Sequence, residues 1–427
     1  MNKSDSDLMA VSLREQGYHE AESSDVADVV IYNTCSVRQH AEDRVTARIS
    51  SNRHQIRKRG GTIVIAGCMA QRRGQELLDS KLADLVIGPY QSPRIGEILE
   101  GSSGSNKEVL YISQSEEDFQ ERLHPDILSA RQGHSWHQWV TITHGCENFC
   151  AYCIVPYVRG KLISVASADI LKHIQKLAAE GIREITLLGQ NVNQYGQDRD
   201  DLPFYRLLAS AAETKGLERV NFLTSHPKDF SEDIARVIAD FPNISRNIHL
   251  PLQSGSDTVL KKMNRQYSMD HYYRHIESLA AHLDVFSVST DLIVGFPGET
   301  EKDFEDTLKA VSTIRYDEAF MYAYSPRSGT PAAQLEETLP QEEKITRLNT
   351  LINLQRNISV EKLEARVNTI EIMIPEKISK HSAGEVMGRT FLNHPAVIPG
   401  TEKDIGRAVK VQVTGVNGST LLAHKIP

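Results

Sequence analysis

Cys146, Cys150 and Cys153 lie in the stretch GCENFCAYCIVPYVRG, from Gly145 to Gly160, as a C-x3-C-x2-C loop. Three thiols so close together can bind one metal centre, and no fourth cysteine stands within reach of the loop. A structural zinc ion closes its shell with a fourth Cys or His, for which His144 or a distant side chain is the available ligand. An iron–sulfur cube held by three thiolates instead leaves one iron open to a small molecule. The absent fourth ligand points to the cube.

Two further cysteines sit at equivalent places in a different part of the chain. Cys35 follows the strand-like VADVVIYNT, and Cys68 follows GTIVIAG. Both are therefore expected at the carboxyl edge of one parallel sheet, where such sheets bind ligands. Neighbouring strands are about 5 Å apart, so the two thiols could converge on one centre. A lone cysteine there would be a small apolar filler; two at matching junctions favour a shared site. Five cysteines, an odd number, fit ligands and buried thiols in a reducing compartment better than a disulfide framework. The opening MNKSDSDLMA is too polar for a secretory signal, and no apolar run is long enough to span a bilayer, so a cytoplasmic protein without a membrane is expected.

At 427 residues the chain exceeds one ordinary core, and two or three domains are expected. Residues 4–16 read as a helix capped by Ser4 or Ser6 and stopped by Gly17. The strands VADVVIYNT, GTIVIAG and ADLVIG then alternate with a long helix ending at Gly60 and a short one near Arg73 to Ser80, which predicts a small parallel α/β sheet. This run starts on a helix; a preceding strand, ending in a third cysteine, would fall just before Met1. The basic cluster Arg53, His54, Arg57, Lys58 and Arg59 reads as a solvated helix end, with contact to an RNA backbone as the alternative.

Glu100 to Lys107 has linker composition, and a polar connector continues to Gly133. From Trp139 the strands WVTIT, EITLLG, RVNFLT, NIHL, SVSTDLIV and EAFMYAY alternate with helices near 167–180, 204–214, 231–240, 256–263 with 270–282, and 301–313. Six such units make a partial (βα)6 barrel, open where a complete one has eight. Polar or glycine residues follow each later strand: Gln190, Asn191 and Asn193; Ser225 and His226; Gln253, Ser254 and Ser256; Gly295 and Gly298; Ser325 and Arg327. That ring of hydrogen-bonding groups suits a zwitterionic, nucleoside-bearing cofactor. Five short strands with Gly and Pro punctuation close the chain as a small β-barrel. The net charge is −8 overall, yet the segment from Arg366 holds eight Lys/Arg against five Asp/Glu. A basic appendage on an acidic body fits local contact with nucleic acid.

The cysteine loop with Tyr152 before its last thiol resembles the radical S-adenosylmethionine enzymes. Together with IVPYVRG, LLGQNVNQYG, HLPLQSGSD, DLIVGFPGET and YAYSPRSGTPAA, it resembles tRNA methylthiotransferases of the MiaB type over nearly the whole chain. The resemblance implies four regions: a methylthiotransferase α/β domain at 1–100, a connector at 101–133, a radical-SAM barrel at 134–365 and a TRAM-like RNA-binding β-barrel at 366–427. It implies two 4Fe–4S clusters, one on Cys146, Cys150 and Cys153 and an auxiliary one on Cys35 and Cys68 whose third ligand would lie upstream. S-adenosylmethionine, as radical source and methyl donor, would contact Tyr152, Gln190, Asn191, Ser225, Gln253 and Ser254. Where the family usually has Glu and Arg after Arg159-Gly160, this chain has Leu162 and Val165.

The implied reaction is methylthiolation of N6-isopentenyladenosine beside the tRNA anticodon. The adenine C2–H bond is unactivated, so acid–base chemistry or a protein nucleophile will not open it at neutral pH, whereas a radical will. Partners are the anticodon stem-loop, an electron donor and a sulfur source; a monomer is expected. Relatives acting on a ribosomal-protein aspartate or on threonylcarbamoyladenosine are the nearest alternatives, and a zinc-containing RNA-binding protein is the alternative outside catalysis. Anaerobically purified protein is expected to be brown and to carry several irons; a colourless protein with a single zinc would support the binding module.

Overall fold

In a computed structural model, residues 2–35, 39–102, 109–112, 136–380, 382 and 384–427 are described. The linker stretch 103–108 and the connector from 113 to 135 lie outside them. The amino-terminal part contains helix α1 (Asn2–Glu15), strand β1 (Val29–Thr34), helix α2 (Gln39–Lys58), strand β2 (Thr62–Gly67), helix α3 (Cys68–Asp79), strand β3 (Leu85–Ile87), helix α4 (Ile95–Ser102) and strand β4 (Val109–Tyr111). The four strands are parallel in the order β1-β2-β3-β4, giving the expected small α/β sheet.

Four details differ from expectation. Helix α1 runs from Asn2, so Ser4 and Ser6 lie within it rather than capping it. Helix α3 starts at Cys68 rather than near Arg73, because Met69 and Ala70 pack into the core; its backbone breaks at Gly74, which splits it in two. Strand β4 is an addition, formed where a connector is read from the sequence; three residues were too short to signal a strand. The basic end of α2 is only partly solvated: Arg57 pairs with Asp84 at 2.7 Å, and Arg59 donates to the Ala27 carbonyl at 2.9 Å.

The central part follows the reading closely. Strands β5 (His137–Thr141), β8 (Glu184–Leu188) and β9 (Arg219–Phe222) form one parallel sheet, and β10 (Asn247–His249), β11 (Ser287–Val294) and β12 (Glu318–Ala323) form another. A parallel bridge between Val220 and Ile244 joins the two into a six-stranded open barrel. Its buried aliphatic residues, among them Val140, Ile185, Val220, Ile248 and Leu292, make one continuous core under the surrounding helices. Between β5 and β8, the two-residue strands β6 (Thr143–His144) and β7 (Ile163–Ser164) pair antiparallel and close the neck of the cysteine loop.

A long helix, Gln341–Glu364, was not among the expected elements. It packs across β12 and seats Arg347 among Glu299 (2.8 Å), Glu301 (2.9 Å) and Glu343 (3.2 Å). Its buried positions Lys344, Arg347, Leu351, Gln355 and Ile358 mix polar with apolar types, so the apolar stripe that announces a surface helix is broken.

The tail is a closed five-stranded barrel, β13 (Ile370–Ile378), β14 (Glu385–Thr390), β15 (Pro395–Pro399), β16 (Val409–Asn417) and β17 (Thr420–Lys425), in the order 13-14-15-17-16. It docks through the turn after β14 onto the amino-terminal ends of the central strands. Arg219 donates to the Arg389 and Thr390 carbonyls at 3.1 and 3.2 Å, and Ser287 Oγ to the Leu392 carbonyl at 2.7 Å. His394 lies 3.1 Å from Asp317, which also holds Lys362 at 2.6 Å. The tail therefore caps the end of the barrel opposite the carboxyl ends of its strands.

Arg219 and Glu184, each 5% exposed, form a 2.8 Å pair in this joint. Removing one partner strands the other charge in a dry place, which costs about 3–5 kcal/mol. Glu184→Ala is expected to lower the urea midpoint of unfolding, and an unchanged midpoint would mean that the pair carries none of the joint.

Candidate functional site

The cysteine loop is held by its backbone, which leaves its thiols unengaged in tethering. Gly145, at φ 72°, opens the loop where a Cβ would sit 1.7 Å from the Lys161 carbonyl, so only glycine fits. The Cys146 amide donates to the Gly160 carbonyl at 3.2 Å across the neck. At the far side, the Ala151 amide donates to Met263 and the Ala151 carbonyl accepts from Ala332, both at 2.8 Å. Cys146 and Cys150 are buried and Cys153 is half-buried.

Burial pushes the Cys146 thiol up to about 11 and the Cys153 thiol up to about 12. The bare thiols are thus protonated at neutral pH, and a metal centre must displace those protons as it binds. Cys150 is the best supplied with donors. Arg265 Nη1 lies 3.4 Å from its sulfur and 3.3 Å from the Tyr152 hydroxyl, while Nη2 donates to the Pro251 carbonyl at 2.8 Å. His226 Nε2 approaches the same sulfur at 3.8 Å. Its Nδ1 accepts the Lys228 amide at 3.2 Å, so in the neutral ring the proton is on Nε2 and faces the thiol. Burial lowers the His226 pKa, with the Arg265 charge adding to the effect, which keeps the ring neutral.

Cys153 and Tyr152 open onto a cavity of about 560 Å³ at the carboxyl ends of the later strands. Gln253, Tyr324 and Arg327 line it with the apolar Ile293 and Phe320. On its wall His249 lies 3.4 Å from Asp291, with Nδ1 3.0 Å from Ser289 Oγ. Of the residues expected to contact a cofactor, Tyr152 and Gln253 face this cavity. Gln190 Oε1 and Ser225 Oγ are buried at strand ends without a hydrogen-bond partner among the described residues, as are Tyr324 Oη and Arg327 Nη1. Asn191 and Ser254 are instead engaged within their own loops: Asn191 donates to Asp229 at 2.7 Å, and Ser254 Oγ lies 3.4 Å from Thr307 Oγ1. Arg265 was not legible as a site residue, because nothing in KMNRQY marks it; only the fold brings it to Cys150.

The amino-terminal cysteines approach from the other side. The register Thr34↔Gly67 sets Cys35 beside Cys68, and the two are close enough for their charges to interact. Cys68 packs against Ile154 and Val158 of the short helix Val155–Arg159 that follows the cysteine loop. The same helix ends in Arg159, which is buried, forms an ion pair with Asp5 of α1, and has its carbonyl bonded by the Tyr90 hydroxyl at 2.9 Å. Burial raises the Cys68 thiol, and the nearby Arg159 charge opposes that rise. Leu162 and Val165, at the positions of the family's charged pair, are buried in the adjacent core. Polar anchoring there comes from Asp198 and Arg199, which bond the Ser164 amide and carbonyl at 2.8 and 2.9 Å.

Family models match three segments: the radical SAM superfamily over residues 140–311, the uncharacterized protein family UPF0004 over 1–88 and the TRAM domain over 366–426. The chain is 39% identical to the tRNA-2-methylthio-N(6)-dimethylallyladenosine synthase of Natranaerobius thermophilus, over 97% of this chain and 92% of that one. With the protein of the same name from Carboxydothermus hydrogenoformans it shares 40% identity over 97% of this chain and 94% of that one. The chain belongs to this synthase family.

Among solved structures, the radical S-adenosylmethionine methyltransferase TsrM of Kitasatospora setae, with cobalamin and a 4Fe–4S cluster bound, gives a TM-score of 0.57 at 11% identity over 77% of this chain and 70% of that one, a likeness of fold alone. Membership of the radical SAM superfamily brings with it a 4Fe–4S cluster and S-adenosylmethionine. The synthase-family residues present here fit that pair. Three thiols share one loop, two N–H groups reach one sulfur, and polar atoms at the strand ends lack partners. Among the described residues no three His, Cys, Asp or Glu side chains converge on a single ion position; a cube spreads its thiolates over separate irons.

Hydrogen bonds and positive charge at a ligating sulfur raise a cluster's reduction potential. Arg265→Met keeps the bulk but removes both, so the potential of the reconstituted centre is expected to fall in a redox titration. An unchanged potential would reduce Arg265 to a packing role.

Proposed function

We propose that the protein inserts a methylthio group at adenine C2 of N6-isopentenyladenosine beside the tRNA anticodon. The reading rests above all on the two cysteine groups meeting across one short helix, Val155–Arg159, beside a cavity large enough for a nucleoside. The near full-length likeness to synthases named for that product supports it.

In this reading Cys146, Cys150 and Cys153 hold one 4Fe–4S cluster, and Cys35 and Cys68 contribute to an auxiliary one. When bound, these groups supply the electron that splits S-adenosylmethionine into a radical and the sulfur that enters the base. The remaining work belongs to the chain. Arg265 and neutral His226 place N–H donors on Cys150, setting the electrostatics of the loop. Tyr152 and Gln253 orient a cofactor against the cavity wall, and the unpartnered Gln190 and Ser225 supply further contacts. Ile293 and Phe320 give the cavity an apolar wall against which a base can pack. To enter, the adenine must leave the stack of the anticodon loop.

The four-part division at 1–100, 101–133, 134–365 and 366–427 assigns cluster chemistry to the first and third parts and RNA contact to the tail. No described helix is long and apolar enough to cross a membrane, which fits a tRNA-modifying enzyme working in the cytoplasm. A separate electron donor and a sulfur source complete the reaction.

Cys150→Ala is expected to abolish reductive cleavage of S-adenosylmethionine, whereas Cys68→Ala spares cleavage and stops sulfur insertion. Full methylthiolation by Cys68→Ala would remove the auxiliary role. For the substrate, isopentenylated tRNA, threonylcarbamoylated tRNA and the ribosomal protein are incubated in parallel; mass gain in the first alone is expected, and gain only in another would overturn the assignment.

A further inference from the structure

Arg327 is a cation of the cavity that makes no direct ion pair among the described residues. Its guanidinium has no hydrogen-bonded or ionic partner among the described residues, although Nη1 is buried. A buried guanidinium N–H without an acceptor is costly, so the position is built for an anion that arrives with a ligand. Where that anion sits follows from the neighbours. Arg327 shares the cavity wall with Cys153, yet the charges acting on it are Glu42, Arg72, Asp43 and Cys35 of the amino-terminal sheet. Of the two carboxylates, Glu42 is already paired with Arg72, and Asp43 has an interaction of its own and no hydrogen bond to Arg327. Ser325, Pro326, Ser328 and Gly329 around it are exposed, which puts Arg327 at the mouth of the cavity on the sheet side.

The cofactor's own carboxylate belongs elsewhere. The cation on the cysteine-loop side is Arg265, whose Nη1 lies 3.4 Å from the Cys150 sulfur, whereas the charges that act most on Arg327 belong to the amino-terminal sheet. The cavity's apolar lining, Ile293, Phe320 and Ala323 with the ring of Tyr322, suits a base and its prenyl tail, and the Asp291 carboxylate among them repels a charged phosphodiester. A nucleotide turned out of its stack therefore leaves its phosphates at the mouth. The planar fork of arginine matches two phosphate oxygens at once.

We propose that Arg327 grips a backbone phosphate flanking the adenosine to be modified and so holds the unstacked base between the two cysteine groups. This rests on the tRNA reading above.

The probe is an isopentenylated anticodon stem-loop, made also with a neutral methylphosphonate at either linkage flanking the target. Loss of a charged bidentate contact corresponds to roughly 30-fold in affinity. R327Q is thus expected to raise KM for the stem-loop by about that factor while kcat at saturating RNA changes far less. R327K, which keeps the charge but not the fork, is expected to fall between. In the wild type, one of the two methylphosphonates should impose a comparable loss, and in R327Q the same replacement should add less than about two-fold, because the contact is already gone.

Equal methylphosphonate penalties in wild type and R327Q would overturn the proposal. So would a wild-type enzyme insensitive to both linkages, a result that needs no variant to fold. A rise in KM for S-adenosylmethionine with that for RNA unchanged would assign the anion to the cofactor and overturn it too. A wild-type enzyme that leaves the ordinary stem-loop unmodified would instead sink the tRNA reading itself.

Discussion

A loop whose three thiols are the proposed ligands of a metal centre cannot use those side chains to hold itself in place, so its backbone has to be fixed by everything around it. Here the β6–β7 neck closes one end and the amide and carbonyl of Ala151 fasten the other to Met263 and Ala332. Between them Phe149 adopts φ 45°, a conformation that a bulky residue keeps only when its surroundings impose it, and Asn264 Nδ2 bonds its carbonyl at 2.9 Å. The anchors come from three separate parts of the chain, at 143–164, 263–264 and 332. The barrel is what brings them together.

The same loop also positions the amino-terminal sheet. Arg159 is only six residues beyond Cys153, and its buried pairing with Asp5 ties the short helix after the loop to α1. Tyr90 and Cys68 pack on that helix as well. The relative placement of the two cysteine groups is therefore set over a very short length of polypeptide. A buried ion pair of this kind adds little net stability, since desolvation offsets the attraction, but either partner alone would be a buried uncompensated charge. It acts as a register pin between the sheet and the loop.

The tail occupies the opposite end of the barrel, on the Arg219, Ser287 and Asp317 side. The cavity and the tail are thus separated by the height of the strands, and an RNA touching both must run along the flank of the barrel. The apolar Leu162 and Val165 are compatible with this frame because their side chains fill core space, while Asp198 and Arg199 take up the polar anchoring of the Ser164 backbone.

Period and punctuation carried most of the fold: alternating apolar runs and helical spacing located the parallel sheet, the six βα units and the five-stranded tail. They failed where local pattern is weak. Strand β4 is three residues long, and the helix Gln341–Glu364 buries Lys344 and Arg347 among acidic partners, so its inner face does not read as apolar. For the site, cysteine spacing alone located the loop, because ligands from one short segment must be close. Arg265, the pairing of Arg159 with Asp5, and the unpartnered guanidinium of Arg327 depend on contacts between residues far apart in the chain. The sequence by itself determined which atoms can bind a cluster and the order of the elements that carry them. Only the tertiary structure decided which charges stand beside those atoms, since burial and long-range neighbours, not local spacing, set the electrostatics of a site.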